Sequence, residues 1–188
     1  MMEHKLDTEE LCPPRYRGLY EWVESLVTML LLVLFVFTFV GQNIPVSGYS
    51  MSPTLLDGDQ MIVRNIFYTP QRGDMIVFSR HDILDGTPLV KRVIAIAGDV
   101  VDINTETGTV YVNGFALDEP YASEPTSQAG NIVYPHTVLP GYVFVLGDNR
   151  SPFGSLDSRH ASLGLVDERE ILGQVVAIRR PLDRAKWF

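Results

Sequence analysis

Thr109-Val110-Tyr111-Val112-Asn113-Gly114-Phe115 reads as two strand edges joined by a two-residue turn. Asn-Gly is the dipeptide a type I′ turn demands, because both central residues take positive φ. The pattern around it repeats: short Val/Ile runs are broken by Gly, Asp, Asn and Pro every eight to twelve residues. Strands are expected at Gln60–Asn65, Met75–Ser79, Leu89–Ala97, Val100–Asn104, Thr109–Val112, Val143–Leu146 and Leu172–Ile178. None has a helical period, so the fold class expected is mainly β, with antiparallel sheets. Leu117 to His136, rich in Pro, Ser, Gly and Tyr, reads as a long irregular excursion.

Upstream the composition changes. Ser25 to Leu56 carries no charged residue over 32 positions, and the apolar run Leu26 to Val40, with Trp22 and Val23, reaches the roughly 20 residues that cross a bilayer. A single N-terminal transmembrane helix is therefore expected over residues 22–41. It follows a tail of residues 1–21 and precedes a β-rich domain of residues 42–188. A cleavable leader fits poorly, because the preceding tail is long and acidic and no A-x-A site follows. Lys5, Arg15 and Arg17 precede the helix and no Lys or Arg follows it until Arg64. The N-terminus is thus expected in the cytoplasm and the β domain outside it.

The 188 residues hold 15 Lys+Arg against 23 Asp+Glu, a net charge of −8. That surface does not suit nucleic acid. The single cysteine, Cys12, excludes an intramolecular disulfide and a multi-cysteine zinc site. His4, His81, His136 and His160 form no HExxH, so neither metal nor cofactor is expected.

Three segments carry more than a β domain needs. Val46-Ser47-Gly48-Tyr49-Ser50-Met51-Ser52-Pro53-Thr54-Leu55 is a small, polar, turn-rich loop, which could equally be a linker. Pro88 to Asp99 contains Lys91 inside an apolar strand, in a chain with only three lysines. On period two Lys91 shares a face with Leu89, Val93 and Ala95, and Arg92 shares the other with Val90, Ile94 and Ile96. One of the two cations must face the core or a cleft. A desolvated lysine loses pKa and becomes a general base, whereas on an edge strand both cations would snorkel to water. Gly147 to Arg159 is dense in hydrogen-bonding side chains, with Asp148 and Asp157 the obvious partners of Arg150 and Arg159. It reads either as a solvated turn or as a scaffold for a catalytic constellation, with Ser155 placed to steady a lysine amine.

Taken together, these segments resemble the type I bacterial signal peptidases, membrane-anchored Ser/Lys proteases that remove signal peptides from exported proteins. The resemblance spans about residues 20 to 179. It rests on Gly48-Tyr49-Ser50-Met51-Ser52-Pro53-Thr54-Leu55, Arg72-Gly73-Asp74-Met75-Ile76-Val77-Phe78, Val90-Lys91-Arg92-Val93-Ile94-Ala95 through Gly98-Asp99, and Gly147-Asp148-Asn149-Arg150 with Ser155-Leu156-Asp157-Ser158-Arg159. Four boxes in order behind one helix are specific where one alone would not be.

The resemblance implies Ser50 as nucleophile, Lys91 as general base and Ser155 as the serine that hydrogen-bonds the lysine amine. It implies Asp157 and Arg159 as a structural ion pair, and Ile44, Val46, Leu55 and Val90 as the lining of shallow pockets for small side chains. The Ser50 backbone N–H is the oxyanion donor it implies. The partners would be preprotein signal peptides and the lipid bilayer, at the bacterial cytoplasmic membrane.

There are two departures from the pattern. Four residues separate Arg150 from Ser155 where two are common, and Gly48 stands where some members carry an oxyanion-donating serine. A Ser/His/Asp hydrolase would use His136 or His160, yet Ser50 is not in a G-x-S-x-G. A sortase-like enzyme would need an external cysteine. The alternative from a different class is a non-catalytic, membrane-anchored β domain that binds an exported partner.

Overall fold

The computed structural model describes residues 17–39, 42–66 and 68–188. The chain divides into a helical unit and a β unit, with the boundary between Val40 and Gly41.

The helical unit contains α1 (Arg17–Phe39). It begins five residues before the expected start at Trp22, because Arg17 to Glu21 continue the turn without a proline or glycine signal after Gly18. Residues 40 and 41, expected to close the span, lie outside the described residues, as do the side chains of residues 35–39. Among the described residues, no helix is long and apolar enough to cross a membrane. The described side chains, Gly18 to Leu34, include Glu21 and Glu24.

Among the described residues, the β unit has twelve strands in two antiparallel sheets. In chain order they are β1 (Gln42–Pro45), β2 (Gln60–Arg64), β3 (Met75–Phe78), β4 (Leu89–Ala95), β5 (Val100–Asn104), β6 (Thr109–Val112), β7 (Phe115–Ala116), β8 (His136–Thr137), β9 (Tyr142–Leu146), β10 (Val166–Asp167), β11 (Ile171–Arg180) and β12 (Lys186–Trp187). The larger sheet runs β1-β2-β11-β3-β4-β9-β10, with β12 on β11, and the smaller runs β7-β6-β5-β8. The Asn113-Gly114 turn joins β6 to β7, with φ of 55° and 81°, the sign the dipeptide was chosen for.

All seven expected strands are present, with ends moved by two residues at most. The other five, β1, β7, β8, β10 and β12, span two to four residues each. That is too short for an alternation to be read, and their pairing is imposed by tertiary contacts.

Three apolar clusters hold the β unit together. Met51, Leu55, Met61, Val63, Met75, Val77, Val175 and Ile178 form one, with Ile44 and Val90 packed on it. A second joins the two sheets through Ile94, Val101, Val110, Val112, Phe144 and Leu146. The third, around Ile76, Phe78, Val93, Val143 and Val145, covers β3, β4 and β9. Strand β4 lies inside the sheet, paired with β3 (Ile76 opposite Lys91) and with β9 (Val145 opposite Val93). Its residues Lys91 to Ala95 are all buried. A strand covered on both faces cannot send either cation to water, so Lys91 and Arg92 both turn inward, where the sequence required this of one, and β4 is not the edge strand that would have let them snorkel.

Candidate active site

Between β1 and β2 the chain makes the turn-rich loop read in the sequence, and its anchors hold Ser50 at a defined place. Gly48 N–H donates to Asp57 Oδ1 (2.8 Å), Ser52 N–H to the Tyr49 carbonyl (3.1 Å) and Leu55 N–H to the Met51 carbonyl (2.9 Å). Met51 and Leu55, buried in the first cluster, fix the loop to the sheet. From the other side Asn149 reaches over: its backbone N–H donates to the Ser50 carbonyl and its side-chain amide to the Tyr49 carbonyl, both at 3.1 Å. Gly147 allows this approach, because a Cβ there would lie 2.4 Å from the Ser50 carbonyl oxygen.

Strand β4 supplies the second group. Lys91, only 1% exposed, places Nζ 2.7 Å from Ser50 Oγ and 2.8 Å from the Val90 carbonyl oxygen. Burial pushes the amine down to about 8 from its ordinary value, against the pull of the Asp157 and Asp148 carboxylates, which favour the charged form. A lysine with that pKa supplies a free base at mildly alkaline pH, and its hydrogen-bond partner is a hydroxyl it can deprotonate.

The loop after β9 supplies the carboxylates. Arg159 grips Asp157 through Nε (2.8 Å) and its second nitrogen (2.9 Å), and Gly147 N–H adds a third bond at 3.1 Å. Burial opposes the charge on Asp157, but the Arg159 guanidinium overrides it and holds the carboxyl below its ordinary range. Asp148 pairs with Arg92 (2.8 and 2.6 Å) rather than with Arg150. Arg150 turns the other way, to Glu119 and Thr126 Oγ1, and donates through Nε to the Gly147 carbonyl. The expected Arg150–Asp148 pairing is thus corrected. Tyr121, on the same excursion as Glu119, lies over the Arg92 guanidinium at 4.0 Å.

Two further expectations meet a different geometry. Ser155 is buried, but its hydroxyl faces the Asp157 carboxylate and makes no hydrogen bond to the Lys91 amine, which donates to the Val90 carbonyl instead. The extra residues Pro152 and Phe153, the latter at φ 62°, lengthen the turn that leads into Ser155. Among the expected pocket residues, Leu55 is 0% exposed and Val46 7%, both within the first cluster. An atom that water cannot touch cannot meet a substrate side chain, so Leu55 is core beneath the site. Ile44 and Val90, half-buried on the surface of that cluster, keep an accessible face.

Asn149, Tyr121 and Glu119 had no role in the sequence reading. Asn149 lay inside a quoted box, whereas Glu119 sits 31 residues from the arginine it neutralises and gave no signal.

Residues 19–179 match the family described as "Signal peptidase, peptidase S26". Signal peptidase I of Bacillus licheniformis is 34% identical over 176 residues, covering 88% of this chain and 91% of its own. A probable signal peptidase I-1 of Synechocystis is also 34% identical, over 184 residues and 93% and 88% of the two chains. A crystal structure of a signal peptidase I from Enterococcus faecalis aligns at 30% identity and a TM-score of 0.46, covering 57% of this chain and 97% of that one. A match over most of the chain, around a buried lysine in hydrogen-bond contact with a serine, makes this chain a member of the signal peptidase family, peptidase S26.

Proposed function

We propose that this chain is a membrane-anchored serine endopeptidase that removes N-terminal signal peptides from exported preproteins, with Ser50 as nucleophile and Lys91 as general base. The observation that carries the reading is the 2.7 Å contact between Ser50 Oγ and the Nζ of a buried, pKa-lowered lysine. Neutral Lys91 takes the Ser50 proton as Oγ attacks the scissile carbonyl carbon. The Ser50 backbone N–H donates to the oxyanion. The lysine then protonates the departing amine, and deprotonates the water that hydrolyses the acyl-enzyme.

Ser155, buried and with no hydrogen bond to the lysine amine, would turn towards it as the charge on Nζ changes. Asp157 and Arg159 serve as the structural ion pair beneath it. An extended peptide beside the edge strand β1 would set its side chains against Ile44 and Val90, which leaves room for small, uncharged residues at P1 and P3. The apolar run Leu26 to Val40 within residues 22–41, uncharged from Ser25 onward, supports an anchor in the bacterial cytoplasmic membrane. Lys5, Arg15 and Arg17 support a cytoplasmic N-terminus.

The test is incubation of the detergent-solubilised full chain with a preprotein, followed by N-terminal sequencing of the product. Cleavage after a small residue is expected. Ser50→Ala and Lys91→Ala should each fall to near background with the fold intact, and Cys12→Ala should cleave normally. Substantial cleavage by Ser50→Ala overturns the mechanism.

A further inference from the structure

The loop that carries Ser50 is held from two directions. On its entry side Asn149 takes the Tyr49 and Ser50 carbonyls. Its exit side depends on Asp59, whose backbone carbonyl accepts from Val46 N–H (2.8 Å) and whose Oδ2 accepts from Leu56 N–H (2.9 Å). Asp59 is only 2% exposed, so its carboxylate needs a cation.

That cation comes from the far end of the chain. The one-turn segment Leu182–Arg184 lies between β11 and β12, and Arg184 donates to Asp59 Oδ1 (3.2 Å), Asp59 Oδ2 (3.0 Å) and the Thr54 carbonyl (3.3 Å). The turn is itself fixed to the sheet, because β12 pairs with Ala177 and Ile178 of β11 and Phe188 N–H donates to the Val176 carbonyl at 3.0 Å. Arg184 lies beyond residue 179, where the family match ends.

We infer that Arg184 is a positioning residue for the reacting serine: its guanidinium fixes the exit side of the loop that presents Ser50 to Lys91. The inference rests on the reading of Ser50 as nucleophile. Without Arg184, the stranded Asp59 carboxylate draws the loop outward towards water, and the 2.7 Å contact between Ser50 and Lys91 opens. An ångström of misplacement at a reacting atom costs up to about 10²-fold in rate while substrate binding changes little.

The experiment measures kcat and KM of the full chain in detergent, per folded molecule as judged by thermal unfolding. Arg184→Ala should lower kcat by about 10-fold or more with KM within about threefold. Arg184→Lys, which still reaches Asp59 but cannot bridge to Thr54, should recover most of that loss, and it reads the effect should the alanine variant not fold. Leu182→Ala, on the same turn and exposed, should behave as wild type. Unchanged kcat per folded Arg184→Ala, or losses in both Arg184 variants that follow only the folded fraction, overturn the inference while Ser50→Ala remains inactive. An active Ser50→Ala would instead overturn the reading of the nucleophile, whatever Arg184 does.

Discussion

Lys91 is under two opposed demands, because its amine is buried, which favours the neutral form, and Asp157 and Asp148 draw towards it, which favours the charged one. Burial wins, and Nζ is left at about 8. The neutral amine is the working base, so activity should climb as pH rises through that value, with roughly one tenth of the enzyme competent at pH 7. An ascending limb in kcat/KM centred near 8 is the expected profile, and one already flat down to pH 5 would remove lysine as the titrating group. Lys91→Arg, protonated throughout, should be inactive at every pH rather than shifted. The same shift acts on stability. The folded-state pKa lies below the unfolded value of 10.5, so the unfolded chain binds more protons between about 8 and 10.5, and stability rises with pH across that window. Below it the cost of burying the charge is present in full, about 3 kcal/mol for a shift of this size. Lys91→Met should therefore be inactive yet more stable than wild type at pH 7, with the advantage gone above about pH 10.5, as thermal melts across pH would register.

At the level of the elements, the site is a meeting of two loops over one buried strand, and Gly147 is where they touch. A Cβ at that position would lie 2.4 Å from the Ser50 carbonyl and 2.3 Å from Ser155 Oγ, so one of the loops must move. Gly147→Ala should cut kcat by up to about 10²-fold and lower the melting temperature. Gly48→Ala meets no atom within 4 Å, and strains only the φ of +89°, at about 1–2 kcal/mol. A Gly147→Ala enzyme with normal kcat would mean that the loops are not in register with catalysis. The same elements explain what could be read in advance. Strand β6 and its Asn113-Gly114 turn depend on local rules, which a sequence displays directly. Whether Leu55 lines a pocket or fills the core depends on what lies above it, and both places ask for the same apolar side chain. Arg150 has Asp148 two residues away and pairs with Glu119 instead, because β4 places Arg92 against Asp148. Such choices are made by sheet order, which no single segment encodes.

Across the β unit, the three apolar clusters run from Ile44 to Ile178, and the ion pairs Arg72–Asp99, Arg92–Asp148, Arg150–Glu119, Arg159–Asp157 and Arg184–Asp59 join residues of that same unit. The β unit thus contains its own core, its own buried charge network and both members of the Ser50–Lys91 contact. In α1 the described apolar side chains from Leu19 to Leu34 are exposed. A unit with its own core folds without the rest of the chain. Residues 41–188 alone should therefore unfold in a single cooperative transition without detergent. They should also hydrolyse a short peptide with a small P1 residue at a rate close to that of the full chain. The two proteins should part on a preprotein presented in vesicles, where only the chain with residues 22–41 shares the bilayer with its substrate. There the gain comes from effective concentration rather than from chemistry, so kcat should match while the apparent KM of the shorter protein rises. A shorter protein that melts without cooperativity, or that has lost kcat on the short peptide, would show that the helical segment contributes to the catalytic fold itself.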